Sequence, residues 1–137
     1  MTNIFEEDLQ PKRAVWDDTP DVLQNIVQGF PCLILKMEES KHLCGYVGVN
    51  KEHPLYGKHY DELSHLSCHG GVTYADLMED QGELWWIGFD CNHSFDYSPG
   101  WGKYSFQNPD NYKDATFVMN EIDGLVKQIA ALSVRAV

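Results

Sequence analysis

The chain has 137 residues, 43% hydrophobic and 12% aromatic, which bounds it to one globular domain with a real core rather than a disordered chain, which would be poorer in both. Its 10 basic and 21 acidic residues give a formal net charge of −11, a balance that repels nucleic acid and anionic membrane. No apolar run approaches the ~20 residues needed to span a bilayer, and Met1 to Gln10 lacks the basic start and apolar stretch of a signal peptide, so the expectation is a cytoplasmic protein.

Residues 1–16 read as an N-terminal arm and 17–137 as one α+β domain. Thr19, Pro20 and Asp21 have the order of an N-cap, a first-turn proline and a first-turn acid. With Val22, Leu23, Ile26 and Val27 as an apolar stripe and Gly29 as the stop, they predict a short helix. After Pro31, the run Cys32 to Met37 is apolar enough for a buried strand. Leu43 to Val49 then alternates, with Leu43, Val47 and Val49 on one side and Cys44 and Tyr46 on the other. The polar turn between them makes the pair an antiparallel hairpin, and Gly45 and Gly48 mark a bulge or a close backbone approach.

The stretch from Lys51 to Ser67 is polar, with one or two helical turns between Tyr60 and Leu66. Val72 to Tyr74 is a short strand, and Leu84 to Asp90 a strong one. Residues 94–112 make a long aromatic loop, a length that suggests a lid or binding loop over 97–106. From about Asp114 to Arg135, Phe117, Val118, Ile122, Leu125, Val126, Ile129 and Leu132 keep the 3.6-residue period of a helix packed on a sheet. The expected fold is a small, mainly antiparallel sheet packed by a short N-terminal helix and a long C-terminal one.

The four cysteines, Cys32, Cys44, Cys68 and Cys91, form no C-x-x-C pair and read as thiols, Cys32 and Cys44 as small core residues. Five of the six histidines (His53, His59, His65, His69 and His93) fall between positions 53 and 93. Two segments concentrate the chemistry: Cys68-His69-Gly70-Gly71-Val72-Thr73-Tyr74 and Asp90-Cys91-Asn92-His93-Ser94-Phe95-Asp96. His69 and His93 are candidate acid/base residues, because imidazole titrates near neutrality. Asp96 is placed to turn back and orient His93, since a carboxylate on one ring nitrogen fixes the tautomer. Strand alternation would put Asp90 and Asn92 on one face and Cys91 and His93 on the other. The amides of Gly70 and Gly71 would face an anionic group, or else the pair is a plain tight turn.

Three chemistries are compatible with these residues. One is a metal site, zinc by ligand type, built from His69, His93 and a carboxylate or Cys91, though no zinc-site spacing is present. A second is thiolate chemistry at Cys68 or Cys91. The third is a binding pocket for a small polar ligand, lined by Gly70, Gly71, Thr73, Tyr74, Asp90 and Asn92, with Trp85, Trp86, Trp101 or Tyr104 stacking on a flat ring. Tyr56-Gly57-Lys58 could set a cation nearby. Single histidines such as His42, His59 and His65 are more simply structural or surface residues.

Gly45-Tyr46-Val47-Gly48-Val49, His53-Pro54-Leu55-Tyr56-Gly57, His69-Gly70-Gly71-Val72-Thr73-Tyr74 and Trp86 to Asp96 together resemble a group of small proteins encoded by bacteriophages and prophages. The chain departs from that group at Asn92 and Phe95, where small residues are usual. The resemblance implies a phage-type accessory protein acting inside a bacterium, with counter-defence as a natural role. Two functions follow as expectations. In one, the pocket binds and hydrolyses a small, nucleotide-like ligand, with His69 and His93 as acid/base residues and Asp90 and Asp96 orienting them. In the other, the chain is an acidic inhibitor of a basic host protein surface and its His/Cys cluster is structural.

Overall fold

A computed structural model describes residues 19–100 and 108–134. The expected arm over 1–16, Trp101 and most of the 97–106 loop lie outside the described residues. Five strands, β1 (Val22–Val27), β2 (Phe30–Lys36), β3 (Leu43–Val49), β4 (Tyr74–Leu77) and β5 (Trp85–Asp90), form one antiparallel sheet in the order β1-β2-β3-β5-β4. One long helix, α1 (Ala115–Val134), covers a single face of it. This is an α+β domain. Among the described residues no helix is long and apolar enough to cross a membrane.

The expected N-terminal helix is instead strand β1. Val22 and Ile26, like Leu23 and Val27, are four residues apart, an even number, so each pair stays on one side of a strand as readily as on one stripe of a helix. The strand splits the four: Leu23 and Val27 pack toward the core, while Val22 and Ile26 face away and are 51% and 70% exposed. Gln28 and Gly29, both at positive φ (51° and 84°), close the two-residue turn between Val27 and Phe30. Two successive left-handed residues are the signature of the tight hairpin turn whose twist matches the strands. The residues read as a helix cap serve the hairpin too: the Lys36 ammonium donates to the Thr19 carbonyl at 2.6 Å, and the Lys36 amide to the Asp21 carbonyl at 2.9 Å.

Alternation in the central strands sets two apolar layers. Cys32, Ile34, Leu43, Val47, Val49, Ile87 and Phe89 meet Val118, Ile122, Leu125, Val126 and Ile129 of α1. On the other face Leu33, Cys44, Tyr46 and Trp86 form a second cluster with Tyr74, Met78 and Leu84. The Trp85-Trp86 pair is divided in this way, Trp85 on the helix side and Trp86 on the opposite side. Gly45 lets the helix come close, since a Cβ there would stand 2.7 Å from the Phe89 ring and 2.9 Å from Val118.

Two clasps fix the segment that leads to His69. His53 is buried; its Nδ1 accepts from the Leu55 amide at 3.0 Å, so Nε2 carries the proton donated to the Ile129 carbonyl at 2.9 Å. The Gln128 side chain then forms two 2.8 Å hydrogen bonds with the backbone of Ser67. His53 is thus a structural residue. A chain pinned at 53 and 67 delivers the next two residues to a fixed place beside α1.

Candidate functional site

Cys68 to Gly71 is a tight turn in which the Gly71 amide donates to the Cys68 carbonyl at 2.9 Å. Gly70 and Gly71 sit at φ 70° and 82°, the left-handed region that glycine enters without steric cost. This corrects the expected anion nest: the Gly71 N–H is consumed inside the turn. The pair has a different role. A Cβ on Gly70 would overlap Nε2 and Cε1 of His93, so the bare backbone at 70 is the surface on which the His93 ring rests.

On the other segment, β5 stops at Asp90 because its carboxylate accepts the Asn92 amide at 3.0 Å, a local turn that competes with the ladder. Cys91 goes inward, its amide donating to the Leu43 carbonyl at 3.0 Å. The alternation expected through His93 therefore ends two residues early. His93 returns to the side of Asp90, with Nε2 3.7 Å from its Oδ1. Thr73 joins this edge by donating its hydroxyl to Asp90 Oδ2 at 2.9 Å. The Ser98 hydroxyl donates to the Asn92 side chain at 2.7 Å.

Asp96 is the centre of the site. Its side chain is 0% exposed, yet it gathers polar partners from three parts of the chain. Both carboxylate oxygens lie 2.9 Å from His69 Nε2, and Oδ2 lies 2.7 Å from His93 Nδ1. The His93 amide reaches Oδ2 at 3.2 Å, and the Lys113 ammonium reaches Oδ1 at 3.2 Å. Burial by itself opposes ionisation of Asp96, but the hydrogen bonds from His69, His93 and the His93 amide outweigh it and hold the carboxyl below its ordinary range. An ionised carboxylate can only accept. It follows that His69 carries its proton on Nε2 and His93 on Nδ1, leaving His69 Nδ1 and His93 Nε2 as the opposite, unassigned nitrogens.

Aromatic rings wall the two imidazoles. Phe95 stacks on His93 with a 4° interplanar angle at 5.1 Å, while His69 meets His93, Phe95 and Phe117 edge-on at 5.1, 5.2 and 5.1 Å. Phe95 is itself 54% exposed. The His69 and His93 side chains keep 11% and 21% of their surface, so both remain in contact with solvent while their shared carboxylate does not.

Several expected site residues are not gathered here. Cys68 packs on the core and burial, with a smaller contribution from Glu121, pushes its thiol up to about 12, the opposite of what a nucleophilic thiolate requires. Cys91 is buried and shifted upward for the same first reason. Tyr74 turns its ring to Tyr46 at 5.3 Å and its hydroxyl to the Leu77 carbonyl, within the second apolar layer. The Lys58 carbonyl accepts from the Trp85 indole at 3.0 Å, whereas the cation at the cluster is Lys113. Sequence reasoning missed Lys113, Phe95 and Phe117 as contacts of the site. Lys113 and Phe117 flank the start of α1, and no local pattern tied them to residues 69 or 96.

His69, His93 and Asp96 offer donor atoms that all lie within 4.8 Å of one another, a set able to hold a divalent metal. The geometry described is that of hydrogen bonds: the 2.7–2.9 Å spacings are shorter than the roughly 3.3 Å between neighbouring ligands of a tetrahedral zinc. Lys113 beside Asp96 also adds positive charge where a cation would have to sit. Compared with known proteins, the chain matches no family model, no curated protein and no solved structure.

Proposed function

We propose that the His69–Asp96–His93 cluster is an acid–base site for a small polar ligand, and that the chain is a phage-type accessory protein that binds and hydrolyses such a ligand inside a bacterium, with counter-defence as its setting. The observation that carries this reading is the fully buried Asp96 carboxylate that orients two partly exposed imidazoles in opposite tautomers. A carboxylate in that position fixes which nitrogen accepts a proton and stabilises the imidazolium that results. Each ring keeps one nitrogen turned away from Asp96, which can take a proton from the ligand or its attacking water and, once the ring is charged, return it to the leaving group. Phe95, exposed and stacked on His93, offers an apolar wall for a flat part of the ligand.

Native mass spectrometry of the protein purified from a bacterial host, read beside hydrolysis of a panel of nucleotides, tests this. The wild type is expected to retain a small molecule or turn one over, and His69→Ala and His93→Ala to lose that property with the fold intact by circular dichroism. Retention of full activity in the double variant, or neither binding nor turnover in the wild type, ends the reading. The competing idea, an acidic inhibitor of a basic protein surface, rests on the net charge of −11 and expects both variants to be silent while partner binding weakens steeply with salt.

A metal-dependent hydrolase on the same three side chains is favoured by their donor types and their 4.8 Å grouping. Elemental analysis in the same experiment separates it. A stoichiometric transition metal that leaves on His93→Ala would replace the acid–base assignment with a metal-activated water.

A further inference from the structure

β1 ends the sheet, and among the described residues no strand pairs with its outer edge. The Lys36 amide donates to the Asp21 carbonyl, and Leu23 stands opposite Ile34. By the alternation of an antiparallel ladder, Leu23, Asn25 and Val27 therefore spend their main-chain polar groups on β2. Val22, Gln24 and Ile26 turn theirs to the free edge. Of these the Ile26 amide donates to the Asn25 side chain at 2.8 Å.

The two ends of the sheet are protected differently. Sheet edges are commonly blunted by charge. β4 follows that rule, since Asp76 lies within it and its carboxylate accepts the Leu77 amide at 2.7 Å. β1 does not. No charged residue occurs from Val22 to Leu35, in a chain of net charge −11. Val22 and Ile26 are 51% and 70% exposed on one face of the strand. Two copies of so acidic a chain repel where their charges face one another, and this hairpin is a place where they do not. α1 packs on β3 and β2, so β1 overhangs it and leaves a groove of about 210 Å³ lined by Leu23, Met119 and Ile122.

We infer that β1 is the surface through which two copies of this chain pair, antiparallel, across a two-fold axis at Gln24. Such an axis, perpendicular to the sheet, keeps its faces in common, so only positions of the same parity can stand opposite one another. Centring on Gln24 sets Val22 opposite Ile26 of the second copy, and Ile26 opposite its Val22. Both exposed apolar side chains are then covered, with Gln24 and its counterpart side by side between them. The occupant is a second copy because the edge is self-complementary: apolar, amide, apolar at 22, 24 and 26 reads alike in both directions. On the α1 side Leu23 and its counterpart become diagonal neighbours beside the groove. Centring on Asn25 would instead set Val22 against Gln28, in the turn.

Position 24 meets itself in this register, which supplies the test. Gln24→Lys and Gln24→Glu each place two like charges opposite one another, whereas a mixture of the two chains places unlike ones. Sedimentation equilibrium of the full chain is expected to show a dimer for the wild type. Either variant alone should weaken its dissociation constant at least about five-fold, and the equimolar mixture should recover it. Native mass spectrometry should show the recovered dimer to be the mixed species. Circular dichroism reports the fold of each variant. Should either fail to fold, Gln24→Cys gives a second reading: hydrogen-bonded residues directly opposite stand about 5.5 Å apart, within disulfide reach, and oxidation should link the copies. A monomeric wild type overturns the proposal and leaves the edge to a foreign strand. Variants that dimerise as tightly as the wild type, a mixture no tighter than its components, or a Gln24→Cys chain that forms no covalent dimer overturn it equally.

Discussion

His93 rests on Gly70: the ring edge bearing Nε2 occupies the space a side chain at position 70 would need. Gly70→Ala therefore carries two penalties, a left-handed φ of 70° worth about 1–2 kcal/mol and the displacement of His93 from Asp96. Gly71→Ala has the first penalty alone, because φ is 82° but nothing stands within 4 Å of its Cβ. Chemical denaturation should show Gly70→Ala less stable than Gly71→Ala by on the order of 1 kcal/mol or more, with loss of the His93–Asp96 hydrogen bond. Equal losses would mean that His93 does not depend on the glycine. The turn would then be only a turn.

Asp96→Asn tests the centre of the cluster. The amide cannot accept from His69, His93 and Lys113 together, so the expected cost is on the order of 3 kcal/mol. The pH dependence follows from the lowered Asp96 value. A carboxyl held lower in the folded state than in the unfolded one contributes its full stabilisation above the unfolded value, about 3.9, and loses it as the pH falls through the folded value. The difference in unfolding free energy between wild type and Asp96→Asn should accordingly be constant above about pH 5 and shrink in more acid solution. A difference that stays flat down to the acid limit would contradict the assignment of Asp96 as the ionised partner.

His42 gives a second, separable pH effect. It is buried beside Ser40, with which its Nδ1 hydrogen-bonds, and burial lowers its value against the opposing pull of Asp90 and Asp96. For a base whose folded value is lowered, stability is complete above the unfolded value, about 6.5, and falls as the pH drops below it, because the unfolded chain takes up the proton first. His42→Gln should remove that component, so the wild type loses its lead over the variant between pH 7 and pH 5. A lead that grows on acidification would show His42 charged in the fold.

What could be read from the sequence divides along physical lines. The layers of β2 and β3 were legible because side-chain parity in a strand is local, and α1 was legible because seven apolar residues keep one helical period. β1 was not, since its apolar spacing satisfies both geometries and the deciding signal is the Gln28-Gly29 turn rather than the stripe. His69 and His93 stood out by composition, yet the contact between His69 and Asp96 spans 27 residues and depends on the clasps at His53 and Ser67. Lys113 had no local signature. The fate of Gly70 could not be read at all, because the ring that needs its missing side chain arrives from beyond β5.

Cysteine chemistry makes the last prediction. All four thiols are free and partly or wholly buried, with Cys32 and Cys44 pushed up to about 11 and Cys68 to about 12, burial being the first cause each time. Since the thiolate is the reactive form, the native protein should react with iodoacetamide at pH 8 far more slowly than the unfolded chain, whose thiols ionise near 8.5. Cys68→Ala should keep the binding or turnover lost in His69→Ala, at a stability cost of no more than about 1 kcal/mol for a small, half-buried group. Rapid single-site labelling of Cys68 in the folded protein, with activity lost in proportion, would return the nucleophile to that sulfur. The imidazoles would then be its activating base rather than the principal groups of the site.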